Sequence, residues 1–216
     1  MFAPVSPADP THSATPQRRD LIAGLEKGLA VICAFDQERP LLSVTEVAER
    51  CQLTRAAARR YLMIHLAGGM LLFAGIVGHV QATGSVAFER MAPDSIAHWL
   101  ILAGFLVNAG APPLSAWLPD AYPEASYSGM VFLSAFTTKA AVYVLMRGFA
   151  GTELLIWVGV FMIFYGIVYA LLENDMRRIL AYSIVNQVGF MVVGIGIGTE
   201  MALNGTAAHA FTHIVY

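Results

Sequence analysis

The residues of this 216-residue chain that could do chemistry are a few polar side chains inside long apolar runs. Lys139 lies near the middle of the run 129–149, where its ammonium must face a polar partner or a hydrated cavity. His209 and His213 are four residues apart, so they share one helix face and can pass a proton by way of water. Asn108 stands beside a proline-rich helix break, and broken helices at membrane depth line cavities. These patterns predict a proton relay that contains Lys139, His209, His213 and Asn108.

Structural roles are the alternative for each of these residues. Lys139 can serve as an interhelical contact, and the two histidines can be a buried hydrogen-bonded pair. A polar stripe in a later run is as compatible with hydrogen bonds between helices as with conduction; it consists of Tyr182, Ser183, Asn186 and Gln187. The sequence contains no nucleophile–base pair, metal-ligand cluster or cofactor loop with supporting context, so we expect no catalytic residue, no metal and no cofactor.

The charge distribution divides the chain into two parts. Residues 1–61 carry eight basic and seven acidic side chains, whereas residues 62–216 carry only five and eight. The whole chain is 57% hydrophobic and 13% charged, which is typical of a polytopic membrane protein joined to a soluble segment. We therefore predict a disordered lead-in over residues 1–19, a soluble module over 20–62 and a membrane domain over 63–216.

The apolar runs predict the membrane part of an all-α fold. About 20 apolar residues are needed to cross the hydrocarbon layer, and the backbone inside it must be helical. The runs predict a polytopic transmembrane helix bundle of about five full spans and a truncated sixth. The predicted spans are Tyr61–Gln81, Ser95–Pro112, Gly129–Phe149, Glu153–Leu172 and Ile179–Gly198, with Ala202–Tyr216 as the partial one.

The soluble module shows the pattern of a helix-turn-helix. Ser43-Val44-Thr45-Glu46 is a capping box that begins a short helix, and Thr54 can cap a further helix that begins at Arg55. Arg55 and Arg59 share one face of that helix. They can contact DNA, or they can mark the cationic end of a helix at a membrane surface.

Residues 20–62 resemble the N-terminal DNA-binding domain of IclR-type transcriptional regulators. The resemblance rests on Glu26–Leu29, Leu42–Ala48 and Leu53–Leu62. It implies that Thr54, Arg55 and Arg59 face DNA in the major groove. The two-stranded wing and the effector domain of that family do not follow in this sequence.

Residues 61–216 resemble the proton-conducting subunits shared by Mrp-type Na+/H+ antiporters and respiratory complex I, with a lean toward the D-type subunit of Mrp antiporters. The matching stretches are Pro113–Ala125, Thr138–Tyr143, Glu173–Ser183 and His209–Tyr216. The resemblance implies that Lys139 is the lysine that bridges two half-channels, and that His209 and His213 precede a further relay lysine. It also implies other antiporter-complex membrane subunits, the lipid bilayer, protons and monovalent cations as partners.

The sequence also departs from that family. Asn108 occupies a position where many members carry a lysine, the family's glutamate is absent, and the further lysine would lie beyond Tyr216. The resemblance implies a multi-pass protein of the bacterial plasma membrane, and the basic residues favour a cytoplasmic N-terminus. The Arg-Tyr-Leu at residues 60–62 fits both families, so a fusion at this point is expected. A membrane-tethered DNA-binding regulator and a non-functional fusion remain the alternatives.

Overall fold

The computed structural model describes residues 55–125, 130–131 and 133–215. The predicted lead-in over residues 1–19 and most of the predicted helix-turn-helix module over 20–62 lie outside the described residues. Within the described ranges the chain is helical, without strands. The predicted all-α architecture is confirmed for this part of the protein.

Seven α-helices and one π-helical turn make up the described part of the chain. They are α1 (Arg55–Thr83), α2 (Ile96–Ala109), α3 (Trp117–Ala121), the π turn (Leu133–Thr137), α4 (Thr138–Gly148), α5 (Glu153–Leu172), α6 (Met176–Ile197) and α7 (Glu200–Val215).

In the part of the chain that the structure describes, three helices are long and apolar enough to cross a membrane: Arg59–Thr83 within α1, then α5 and α6. The predicted span Ser95–Pro112 is occupied by α2, which has only 14 residues. Ser95 caps its start, and Gly110 ends it in the left-handed conformation with φ 77°. At 1.5 Å per residue α2 is about 21 Å long. Five full crossings therefore stay a prediction, because glycine and proline stop α2 before it has the length of a span.

The start of α1 lies where the charge-rich first part of the sequence meets the apolar second part. A single helix runs from Arg55 to Thr83, so the helix predicted to read DNA continues into the first predicted span without a break. Ala56, Ala57 and Ala58 favour this continuity, because alanine is the strongest helix former.

Polar contacts gather at two opposite ends of the bundle. At the first, end A, Arg60 pairs with Asp120, and Arg177 donates to the carbonyl oxygen of Pro123 at 2.7 Å. At the other, end B, Arg90 donates to the carbonyl oxygen of Ala150 at 2.6 Å. The backbone adds two more contacts at end B, Met91 N to Gly148 O at 2.7 Å and Gly151 N to Ile195 O at 2.9 Å. The core between the ends is mostly apolar; its fully buried side chains include Trp117, Leu118, Leu145, Leu155, Val185 and Ile195.

Helices α5 and α6 form an antiparallel hairpin held by close backbone approach. Gly159 of α5 and Gly189 of α6 face each other. A Cβ atom added to Gly159 would lie 2.7 Å from the carbonyl oxygen of Gly189. Small residues let membrane helices approach closely, so this pair sets the spacing of the hairpin.

The substitution Gly159→Ala tests this contact. We expect it to lower the free energy of unfolding by about 1–3 kcal/mol, because the added methyl group forces two backbones apart. Thermal unfolding of the protein in lipid nanodiscs measures the effect. Gly69→Ala is the matched control, since a Cβ atom at Gly69 of α1 meets nothing within 4 Å. Equal melting temperatures for the two variants would contradict this account of the hairpin.

Candidate functional site

Lys139 is buried at the start of α4, directly after the π turn. The residue is 7% exposed. Its Nζ donates to the carbonyl oxygen of Ser134, inside the π turn, at 2.8 Å. A π turn disturbs the regular ladder of helical hydrogen bonds and is frequent at functional sites. The ammonium therefore has one backbone partner at a helix irregularity and further donors for other polar groups.

The hydroxyl next to this lysine adds to the polar character of the site. Thr138 Oγ1 is buried and has no hydrogen-bond partner among the described residues. In a regular helix a threonine hydroxyl often donates to the carbonyl four residues earlier, which here belongs to Ser134 and accepts from Lys139 instead. Buried polar atoms that lack a protein partner are usual places for bound water.

Two histidines of α7 lie within electrostatic range of this lysine. Helix α7 packs against α6 and against the π turn. The rings of His209 and His213 are stacked, with centroids 6.5 Å apart and planes 19° apart. Both rings are close enough to Lys139 to interact with its charge. The structure thus brings together three of the four residues that the sequence predicted as a relay.

All of these groups lie at a similar depth in the bundle. Lys139 is nine residues before the end of α4, His209 is nine residues after the start of α7, and Gln187 is ten residues before the end of α6. Each of these helix termini lies at end B. At 1.5 Å per residue the three side chains start about 14–15 Å from end B, near the middle of a 30 Å layer.

Gln187 is part of the site although the predicted relay did not include it. Its Oε1 accepts from His209 Nε2 at 2.8 Å, which links α6 to α7. The neighbouring Asn186 points the other way and donates from Nδ2 to the carbonyl oxygen of Ile163 at 2.9 Å, which links α6 to α5. Consecutive residues of a helix face different neighbours. The polar stripe of α6 is therefore divided between a structural contact and a contact with the site.

Asn108 is not hydrogen-bonded to the lysine or the histidines. Its Nδ2 donates to the carbonyl oxygen of Gly104 in its own helix at 3.2 Å. The chain then folds back over the end of α2, where Trp117 Nε1 donates to the carbonyl oxygen of Val107 at 3.2 Å. The helix break predicted beside Asn108 is confirmed, but the residues of the break cap α2 rather than lying open.

The loop between α5 and α6 holds the start of α6 in place at end A. Asp175 caps α6 by accepting from the amide nitrogen of Arg177 at 2.7 Å. Glu173 and Arg178 form an ion pair at 2.9 Å. The side chain of Arg177 reaches the carbonyl oxygens of Pro123 and Ala125 at 2.7 and 3.2 Å. These contacts match the structural role that charges in a connecting loop usually have.

The residues predicted to contact DNA are described only in part. Thr54 lies outside the described residues, and Arg55 is the first residue of α1, with its side chain outside them. Arg59 is exposed. The DNA-binding hypothesis stays a prediction. Among the described residues, no group of three or more His, Cys, Asp or Glu side chains is placed to hold a metal ion.

Comparisons with known proteins identify the family of the chain. A family model described as "NADH:quinone oxidoreductase/Mrp antiporter, TM" matches residues 38–216. This match begins inside the predicted helix-turn-helix module and crosses the predicted junction at residues 60–62. The comparisons therefore give no support to an IclR-type module or to a fusion at that point.

Individual relatives agree with the family model. NADH-quinone oxidoreductase subunit M of Pseudomonas aeruginosa is 30% identical over 181 residues, which cover 73% of this chain and 35% of that protein. The D-type subunit of the Na(+)/H(+) antiporter of Alkalihalophilus pseudofirmus is 29% identical over 178 residues, which cover 72% of this chain and 36% of that protein. A chain of the Mrp complex from Dietzia sp. DQ12-45-1b superimposes with a TM-score of 0.66 and 26% identity, over 74% of this chain and 33% of that one.

The chain spans about a third of the length of each of these relatives. The family model nevertheless matches most of the chain, and the fold agrees with a solved member. The protein therefore belongs to the family of NADH:quinone oxidoreductase and Mrp antiporter transmembrane subunits.

Proposed function

We propose that this chain carries part of the proton path of an antiporter-type membrane subunit, in which Lys139 binds the proton and His209 and His213 exchange it. The observation that carries the proposal is a lysine that is 7% exposed and held by one backbone carbonyl of the π turn, against which the helix of two stacked histidines packs. This arrangement is poor for stability and well suited to proton exchange.

The cost of burying the ammonium supports a functional role for Lys139. A charged side chain within a membrane is expensive, and a single neutral carbonyl does not compensate for the lost hydration. A neutral amine avoids most of this cost. The charged and neutral forms of Lys139 therefore lie closer in free energy at this site than they do in water, and a proton can be gained and lost there.

Mutual repulsion limits how many of the three groups carry a proton at the same time. Lys139 and the two histidines cannot all carry a positive charge at close range without a large electrostatic cost. A proton on Lys139 therefore favours neutral histidines, and its release allows a histidine to take the next proton. Gln187 holds His209 through Nε2, which fixes the ring while Nδ1 remains available for exchange.

Asn108 has a different part in this proposal. An amide does not ionise, so Asn108 can line a hydrated path but cannot bind the proton itself. Its position in the last turn of α2, which ends before it has the length of a span, supports such a lining role.

The relatives support a proposal about the partners and the location. The names of the relatives describe subunits of NADH-quinone oxidoreductase and of Na(+)/H(+) antiporters. We propose that this chain likewise works beside other membrane subunits in the bacterial plasma membrane and couples protons to a monovalent cation. End A carries Arg60, Arg177 and Arg178, whereas end B carries Arg90 and Arg147. The larger basic excess at end A favours its placement in the cytoplasm.

Replacement of Lys139 tests the proton path directly. We expect Lys139→Ala to reduce proton-coupled cation flux by about 100-fold, the lower range for loss of a positioned proton-transfer group. Flux is measured with a pH-sensitive dye in membrane vesicles from cells that produce the protein. Tyr143→Phe, an exposed position on the same helix, is the control that keeps the flux. Full flux in Lys139→Ala would overturn the proposal.

Stability separates a functional lysine from a structural one. We expect Lys139→Met to leave the melting temperature unchanged or to raise it, because it removes a poorly compensated buried charge. Arg177→Met should instead lower the free energy of unfolding by about 1.5–3 kcal/mol, because it removes charge-assisted bonds to two carbonyls. Both are read from thermal unfolding in nanodiscs. A loss of stability in Lys139→Met equal to that in Arg177→Met would assign Lys139 a structural role.

The two neighbouring amides of α6 give a matched pair. Asn186→Ala should cost about 0.6–1 kcal/mol of stability, the usual contribution of one interhelical hydrogen bond, and spare the flux. Gln187→Ala should spare stability and lower the flux, because His209 loses its partner. Flux in vesicles and thermal unfolding in nanodiscs measure the two effects. If both variants lose stability and neither loses flux, Gln187 has no part in the proton path.

A further inference from the structure

A second group of hydrogen-bonded titratable side chains lies at end B, away from Lys139. His79 near the end of α1 faces His98 in the first turn of α2, with His79 Nδ1 and His98 Nε2 3.0 Å apart. The other ring nitrogen of His98, Nδ1, lies 2.7 Å from the carbonyl oxygen of Ala92 and 2.8 Å from Asp94 Oδ1. The three side chains form a hydrogen-bonded row from a carboxylate through two imidazoles.

The burial along this row changes from one end to the other. The Asp94 side chain is 72% exposed and that of His98 only 16%. His79 is half-buried between the helices. The row therefore leads from the exposed loop before α2 into the interface of α1 and α2.

The backbone around the row is fixed. Ser95 caps α2 by accepting from the amide nitrogen of His98 at 3.3 Å. Gly78 lets the two helices approach, since a Cβ atom there would lie 3.2 Å from Cβ of Ala97. The distance between the two rings is thus set by helix packing and not by a mobile loop.

We propose that His79, His98 and Asp94 form a proton-binding site at end B whose ligand is a single additional proton. The oxygens of Ala92 and Asp94 can only accept, so His98 Nδ1 carries a hydrogen in every state. In the neutral state His98 Nε2 accepts from His79 Nδ1, which leaves Nε2 of His79 with a lone pair.

Uptake of the proton then needs no movement of the helices. The incoming proton bonds to His79 Nε2, while the bridging hydrogen leaves His79 Nδ1 and bonds to His98 Nε2. His79 ends neutral with its hydrogen on Nε2, and His98 becomes an imidazolium that faces the Asp94 carboxylate. A second additional proton would place donors on both facing nitrogens and break the 3.0 Å contact, so the site holds one.

Other charged groups near end B point elsewhere. Arg90 donates to the carbonyl oxygen of Ala150, and Arg147 of α4 lies over the Phe88 ring and donates to the Phe88 carbonyl oxygen. Glu89 is exposed on the same loop, and Glu153 is exposed at the start of α5. Asp94 is therefore the carboxylate that compensates the charge of the pair.

This site would collect protons on the end B side of the bundle. This collection of protons rests on the proposed function, whereas proton binding by His79 and His98 does not. The experiment is therefore designed to give a readout that is independent of transport.

The test is nitrogen-15 NMR of the full chain, labelled at histidine and held in nanodiscs, as a function of pH. We expect a direct nitrogen–nitrogen coupling between His79 and His98 that persists through uptake of the first proton and disappears at the second. His79→Gln removes this coupling. Asp94→Asn keeps both rings and should lower the proton affinity of the pair about tenfold, since a carboxylate partner is replaced by a neutral amide.

Glu89→Gln is the matched control, because it removes one negative charge from the same loop without touching the row. Independent single-step titrations of the two histidines without coupling would overturn the inference, and so would equal effects of Asp94→Asn and Glu89→Gln. If the histidine pair shows the expected coupling and binds one proton, but the vesicles show no flux at all, the proposed function fails and the proton-binding site stands.

Discussion

A single ammonium group in an apolar helix bundle sets the main constraint on this protein. The Nζ of Lys139 has one backbone acceptor, the carbonyl oxygen of Ser134. This oxygen is within reach because the chain forms a π turn before α4. The π turn itself needs contacts from neighbouring residues, because its hydrogen bonds are irregular. Tyr122 supplies part of that support by donating from its hydroxyl to the carbonyl oxygen of Leu133 at 3.0 Å.

The segment that contains α3 transmits this support to the rest of the bundle. Trp117 is fully buried and is bonded to the end of α2, while Arg177 of α6 donates to the carbonyl oxygen of Pro123. The segment therefore contacts α2, the π turn and α6 at once. These neighbours hold the backbone of the π turn, and with it the acceptor of Lys139, in position.

The two groups of titratable residues lie at different depths. Lys139, His209 and Gln187 share the middle of the bundle, whereas His79 and His98 lie at end B. The same helices serve both levels, because α2 begins beside the histidine pair and packs against α4, which carries Lys139. A membrane protein that moves protons needs groups at several depths, since one side chain cannot reach across a layer of about 30 Å.

Much of this could be read from the sequence, because it depends on local composition. An apolar run predicts a buried helix, and a lysine inside such a run must be buried with it, as Lys139 is. The proline-rich segment predicted the break after Asn108, although the shortness of α2 followed only from where Ser95 and Gly110 end the helix. What the tertiary structure alone decided is which helices are neighbours. It directed Asn186 to α5 and Gln187 to α7, although the two residues are consecutive. It also left Asn108 bonded to its own helix and paired His79 with His98 across 19 residues. The physical reason is that spacing along one helix determines which side chains share a face, whereas the partner of that face is set by packing between distant parts of the chain.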